Sequence, residues 1–279
     1  MKLLHFIISS LVITSAYCQS TGEQTKINYK LVEDDDGILV EKFDSTVVNQ
    51  NRYNHNNIIY TVGSSFKYKF EHTTPDNKTS YFKISEDRKN WEFVPDNPSD
   101  STTIHHVTIR VANGNPLVKY KPDYNQTALI YKNGNEKGYS MSGAIENEKN
   151  VWIHPPRDKY FRILELNPFP YIKAPYAVGT KWTWQLKIGD QWADKRWKLW
   201  EGEIENKMNY EITATKTLET ALGTIDCFVI EAEATSSLGK TALTAYFNPI
   251  YGFVKLDYTN IDGSKTLLEL VEHKTKHNN

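Results

Sequence analysis

From Gly179 to the end of the chain, apolar and polar residues alternate with a period of two, and this limits the fold more than any other feature. Trp182, Trp184, Leu186 and Ile188 fall on one side of such a strand, with Thr183, Gln185 and Lys187 on the other. Successive side chains point to opposite faces of a strand, so the pattern suits a sheet with one buried and one wetted face. Gly189-Asp190 predicts a turn, and Trp192 to Trp200 reads as the strand running back. Met208 to Thr217, Ile225 to Ala234, Thr241 to Phe247, Gly252 to Thr259 and Lys265 to Val271 read as further strands. Ser236 to Gly239, Asn248-Pro249 and Asp262-Gly263 supply hairpin turns between them. Short strands at this spacing predict an all-β fold. Its antiparallel meander should curl into a half-barrel or strongly curved sheet, with at most one or two short helices.

The first half carries the same signal less densely. Phe66, Tyr68 and Phe70 alternate with Lys67, Lys69 and Glu71, and Val107, Ile109 and Val111 with Thr108 and Arg110. Pro75-Asp76-Asn77, Asn113-Gly114-Asn115-Pro116 and Asn133-Gly134-Asn135 punctuate these runs. Between the halves the proline content rises. Pro156 suits the first turn of a short helix, Asp158 sits near its positive end, and Pro168 would stop it. Tyr160, Ile163 and Leu164 fit one helical face, and a strand buried on both sides remains the alternative.

The first residues explain where such a sheet would work. Lys2, an apolar run from Leu3 to Ile13 and the Ala16-Tyr17-Cys18 ending resemble a secretory signal peptide, too short to span a bilayer. The expected division is a signal over 1–18, a polar extension over 19–45 and a β-rich part over 46–150. A Pro-rich connection over 151–178 and the meander over 179–279 complete it. The protein is expected to be exported, periplasmic or secreted. A lipid anchor on Cys18 is the rival reading, disfavoured by Tyr17 just before it. Once Cys18 is removed, Cys227 is a lone thiol, so no internal disulfide supports the fold and the core must do so. The formal charge of −1 offers no basic excess for phosphates, so nucleic acid is not an expected partner. No second apolar run reaches membrane-spanning length.

One stretch resembles a known family. Gly223-Thr224-Ile225-Asp226-Cys227-Phe228-Val229-Ile230 is followed by Ala245-Tyr246-Phe247-Asn248-Pro249, then Tyr251-Gly252-Phe253-Val254-Lys255 and Leu267-Leu268-Glu269-Leu270. This order is similar to the TapB-like exported bacterial family of unknown function, over residues 179–270. The Thr220-Ala221-Leu222-Gly223-Thr224 element is one residue longer than that family's threonine-x-glycine-threonine pattern. The resemblance implies an open antiparallel half-barrel akin to periplasmic carriers of lipoproteins and lipids, and it implies no catalytic residues.

Candidate contact residues follow from chemistry. Trp182, Trp184, Trp192, Trp197 and Trp200 are large apolar surfaces with one donor each, suited to a core, a lipid groove or a sugar-stacking platform. His154 and Arg157, held beside Pro155-Pro156, could present an imidazole and a guanidinium at a cavity mouth to a carboxylate or phosphate. His105 and His106 are adjacent and would face opposite ways, and His273 and His277 lack the glutamate of a zinc-hydrolase motif. Neither a metal nor a cofactor is expected. Gly138 to Ser142 misses the nucleophile elbow, and Glu201 with Glu203 is only a generic acidic pair. The leading expectation is a non-enzymatic protein holding a lipid or other apolar small molecule in a curved sheet. A carbohydrate-binding module built on the Trp-rich hairpin is the alternative, and a glycan hydrolase the third reading.

Overall fold

The computed structural model describes residues 29–43, 51–87, 89–121 and 124–275. The expected signal segment, Cys18 and His277 lie outside them. The polar stretch expected as an extension folds, within its described part, into a hairpin of β1 (Tyr29–Glu33) and β2 (Leu39–Phe43). Asp34 to Gly37 form its turn, and Ile38 and Val40 are buried behind it.

The other described strands build one antiparallel sheet. In chain order they begin with β3 (Ser65–Thr73), β4 (Thr79–Ile84), β5 (Trp91–Val94), β6 (Thr103–Ile104), β7 (His106–Val111) and β8 (Thr127–Asn133). Then come β9 (Ser140–Glu146), β10 (Asn150–Ile153), β11 (Tyr171–Lys173), β12 (Lys181–Gly189), β13 (Glu203–Thr220) and β14 (Gly223–Ser236). β15 (Gly239–Asn248), β16 (Gly252–Thr259) and β17 (Lys265–Lys274) complete it. Its main path runs β11-β10-β9-β8-β7-β3-β17-β16-β15-β14-β13-β12, and β4 to β6 branch from β3. The C-terminal strand β17 pairs with β3, Leu268 opposite Phe70 and Leu270 opposite Tyr68, which joins the two halves of the chain. Bulges between Ile212 and Ala214, Tyr246 and Phe247, and Leu270 and Glu272 add local twist. The curl brings the edge strands near each other: Tyr171 of β11 packs on Trp182 of β12 at 5.8 Å between ring centres.

The alternation read from the sequence gives the inner and outer faces. Phe66, Tyr68 and Phe70 of β3 point into the core with Val107, Ile109 and Val111 of β7. On β13, Ile204, Met208, Tyr210 and Ile212 are buried while Glu203, Glu205, Lys207 and Asn209 are exposed. Cys227 is one of these inward residues, and burial pushes its thiol up to about 11, which leaves it an inert apolar filler.

The Pro-rich connection fills the concave side. Its expected helix is a 3-10 turn, Lys159–Leu166, which the Asp158 carboxylate caps by accepting from the Lys159 N–H. Tyr160, Phe161, Ile163, Leu164 and Leu166 are all buried. Carbonyls of this segment are met by polar side chains on the inner face: Thr241 Oγ1 and Asn206 Nδ2 donate to the Leu166 carbonyl at 2.8 and 3.1 Å. Asn167 Nδ2 donates in turn to the Thr259 carbonyl at 2.9 Å. Buried polar groups need such partners, which explains why an otherwise apolar face carries Asn206 and Thr241.

The return strand does not begin at Trp192. Residues 190–202 form a loop with a 3-10 turn at Asp190–Trp192 and a bridge between Asp194 and Lys198, and β13 starts only at Glu203. The physical reason is the spacing: indoles at 192, 197 and 200 cannot share one face of an unbroken strand, so the loop buries them in different directions.

Candidate functional site

β10 delivers Trp152 and Ile153 into the core and ends at His154-Pro155-Pro156-Arg157. The prolines restrict this exit, and the Tyr131 hydroxyl donates to the His154 carbonyl to pin it. His154 Nδ1 lies 2.7 Å from the Pro155 carbonyl, which can only accept, so that nitrogen carries the proton. Nε2 then faces Glu165 Oε1 at 3.1 Å. With a neutral ring both atoms are acceptors and Oε1 is left without a donor. With a doubly protonated ring they form an ion pair. Glu165 comes from the 3-10 turn, is 4% exposed, and also faces Arg157 Nε at 3.8 Å.

Arg157 and Arg162 both place their guanidinium groups on the Trp192 ring, at 4.8 and 4.9 Å from its centre. This is a cation–π arrangement, and it anchors the 190–202 loop to the rest of the site. Trp184, on the edge strand β12, donates its Nε1–H to the Asp36 carbonyl of the β1–β2 turn at 2.7 Å. Trp152 packs edge-on against Trp184 at 6.0 Å and tilted against Phe169 at 5.9 Å. Trp152 is 4% exposed, and its Nε1–H has no hydrogen-bond partner among the described residues.

These side chains line a half-open cavity of about 250 Å³. Trp152, Phe169, Trp184 and Trp192 give it aromatic walls, while Tyr124, Gln126, Ser142 and Glu165 supply polar atoms. Tyr124 donates to Gln126 Oε1 at 2.9 Å, and burial holds the Tyr124 phenol above its usual range. Both residues press on Gly143 of β9: a Cβ there would sit 2.0 Å from Gln126 Oε1 and 2.7 Å from Gln126 Cβ. Only glycine lets this polar wall approach the strand.

Of the sequence candidates, His154, Arg157, Trp184 and Trp192 meet at this cavity. The other three lie elsewhere. Trp182 stacks on Tyr210 at 5.2 Å with the planes 7° apart, in the region where β11 meets β12. Trp197 is parallel to Trp91 at 6.4 Å, and Arg196 covers Trp91 at 3.9 Å. Trp200 is half-buried against the core. Trp152, Glu165, Tyr124, Gln126 and Gly143 were not among the candidates. Trp152 stands two residues before His154, the nearest signal the sequence offers; the others come to the cavity only through tertiary contacts. Glu201 and Glu203 are both exposed. No three metal-ligating side chains cluster among the described residues.

No protein-family model matches this chain, and no curated protein does. The TapB-like resemblance therefore rests on its turn and core positions alone. Three solved structures are similar at low identity. A Bacteroides fragilis protein described as exported with a YmcC-like fold is 11% identical, with 78% of this chain and 98% of that one covered, at a TM-score of 0.39. A Parabacteroides distasonis protein described as a lipoprotein is 13% identical over 78% and 97%, at 0.43. The hypothetical lipoprotein YmcC of Escherichia coli is 8% identical over 82% and 91%, at 0.36. No helix among the described residues is long and apolar enough to cross a membrane.

Proposed function

We propose that this chain is an exported, non-catalytic binding protein whose cavity beside β10 and β12 takes a small polyhydroxylated ring, that is, a sugar. One observation carries the reading: buried polar atoms left over on aromatic walls. Trp152 Nε1–H has no acceptor among the described residues, and Glu165 Oε1 has no donor when His154 is neutral. A buried polar group without a partner costs roughly 1–3 kcal/mol, so such groups point to a ligand or a bridging water. Both atoms are closed to solvent in the free protein, so the proposal includes a side-chain shift on binding that lets a sugar hydroxyl accept from the indole and donate to the carboxylate, while the ring's C–H face packs on the indoles.

The lipid reading loses support for a reason internal to the fold. The concavity of the curved sheet is filled by the chain's own residues 159–169, and the pocket beside β12 sets a carboxylate, an amide and hydroxyls among its indoles. An acyl chain would leave those groups unsatisfied.

The test is calorimetric titration against a panel of monosaccharides, with Trp152→Phe and Glu165→Gln beside the parent. Loss of one buried hydrogen bond should weaken binding at least about tenfold in Trp152→Phe, titrated at a temperature where circular dichroism shows the variant fully folded. Binding of equal strength in both variants, or of a fatty acid in place of every sugar, would refute the proposal.

A further inference from the structure

The same edge strand borders a second, larger space. A groove of about 810 Å³ runs between the β1–β2 turn and the outward residues of β12 and β13. Asp36, Trp184, Leu186 and Lys187 line both this groove and the small cavity, so the two spaces adjoin. Beyond that junction the groove floor is a cross-strand ladder. Thr183 stands opposite Asn209, Gln185 opposite Lys207, and Lys187 opposite Glu205. Directly opposed side chains on one face lie about 5 Å apart, which gives a regular row of hydroxyl, amide and charged groups. A row of that kind suits a repeating polar ligand better than a single small one.

Charge narrows the class. Glu33, Asp34, Asp35, Asp36 and Glu205 line the groove against only Lys187 and Lys207. Burial and the neighbouring Asp34 hold the Asp36 carboxyl above its usual range, which is how a crowded run of carboxylates behaves. A polyanion entering this groove meets like charge over distances shorter than the Debye length of about 8 Å in physiological salt.

Resting on the sugar reading of the cavity, we propose that the ligand is a glycan chain of neutral or amino-bearing sugars. Its terminal ring occupies the cavity and its following units lie along the β12–β13 ladder. The cavity selects the chain end and the groove counts its length. Uronate, sulfated and phosphorylated chains are rejected by the acidic turn.

The protein is titrated with matched mono- and tetrasaccharides: neutral gluco-, manno- and N-acetylglucosamine series, the glucosamine series, and galacturonate. The tetrasaccharide of a bound series should bind at least tenfold more tightly than its monosaccharide, and the galacturonate series should not bind. The double variant Gln185→Ala/Asn209→Ala should remove that length dependence while leaving monosaccharide affinity unchanged. A monosaccharide that binds as tightly as its tetramer overturns the groove assignment and leaves the cavity reading standing. Failure of every sugar to bind overturns both. Preference for galacturonate overturns the charge assignment. Oligolysine that binds the groove more tightly than any glycan, with no effect of Trp152→Phe, makes it an electrostatic peptide site and overturns the proposal.

Discussion

His72 illustrates how one inward side chain on β3 sets an environmental limit on the whole fold. Its ring stacks on Phe93 at 4.2 Å, and Nδ1 lies 2.7 Å from Ser80 Oγ. Burial holds the imidazole at about 4 against an ordinary 6.5, with the Asp262 carboxylate pulling weakly the other way. The folded state therefore resists a proton that the unfolded chain accepts once pH falls below about 6.5. Stability contributed by the neutral ring is complete above that value and is lost as pH falls through the interval down to about 4. The full loss is on the order of 3 kcal/mol. Denaturant midpoints measured between pH 7 and 4 should fall steeply for the parent and less steeply for His72→Phe. Parallel slopes would mean that the acid sensitivity lies elsewhere. At the same scale, the candidate site was half legible. His154 and Arg157 stand out because prolines isolate them, and Trp184 because it alternates. Glu165 and Gly143 carry no local mark. One reads as part of an apolar segment and the other as an ordinary strand glycine, and their roles exist only where Gln126 and His154 approach them.

Turns and strands are where sequence and structure agree best. The strands β13 to β17 lie where the alternation places them, because one face is dry and the other wet throughout. The turn between β15 and β16 explains one glycine in physical terms. Gly252 has φ +73°, and a Cβ there would lie 2.8 Å from Ile59 Cγ2 and 2.9 Å from the Tyr60 hydroxyl. Gly252→Ala should destabilise the protein by about 2 kcal/mol or more, from backbone strain plus a clash with buried neighbours. A change under about 0.5 kcal/mol in chemical denaturation would show that the turn relaxes freely. The 159–166 segment was less legible. A 3-10 turn has no long periodic signature, and Tyr160, Ile163 and Leu164 suit a helix or a buried strand equally well. What fixes it is the set of side-chain donors on the opposite face, Thr241 and Asn206 among them. The Trp192–Trp200 loop misleads for a related reason. Its indoles look like strand residues but are held by Arg157, Arg162, Trp91 and Arg196.

At the level of the whole molecule, the sheet depends on a seam that no local pattern announces. β17, near the C-terminal end, pairs with β3 from the first third of the chain, and Leu268 and Leu270 lie buried beside Phe70 and Tyr68. Local alternation predicts that both are strands but not that they are neighbours, since pairing is set by core shape and register. Leu268→Ala removes buried methyl groups at this seam and should cost about 3 kcal/mol, lowering the melting temperature cooperatively across both halves. Two separated transitions would mean that the halves unfold independently. Curling this sheet around its own connection leaves the wide concavity filled. Among the open spaces left are the pocket at the β12 edge and the groove that adjoins it. The binding account stands on the indole of Trp152, a residue of the pocket wall whose N–H is buried without a partner among the described residues. Its Nε1–H resonance, assigned by loss in Trp152→Phe, can be followed by NMR during glycan titration. The account predicts a saturable downfield shift with neutral or amino sugars, as the indole gains an acceptor. A resonance that stays fixed while sugars bind elsewhere, or that moves only with fatty acids, would contradict it.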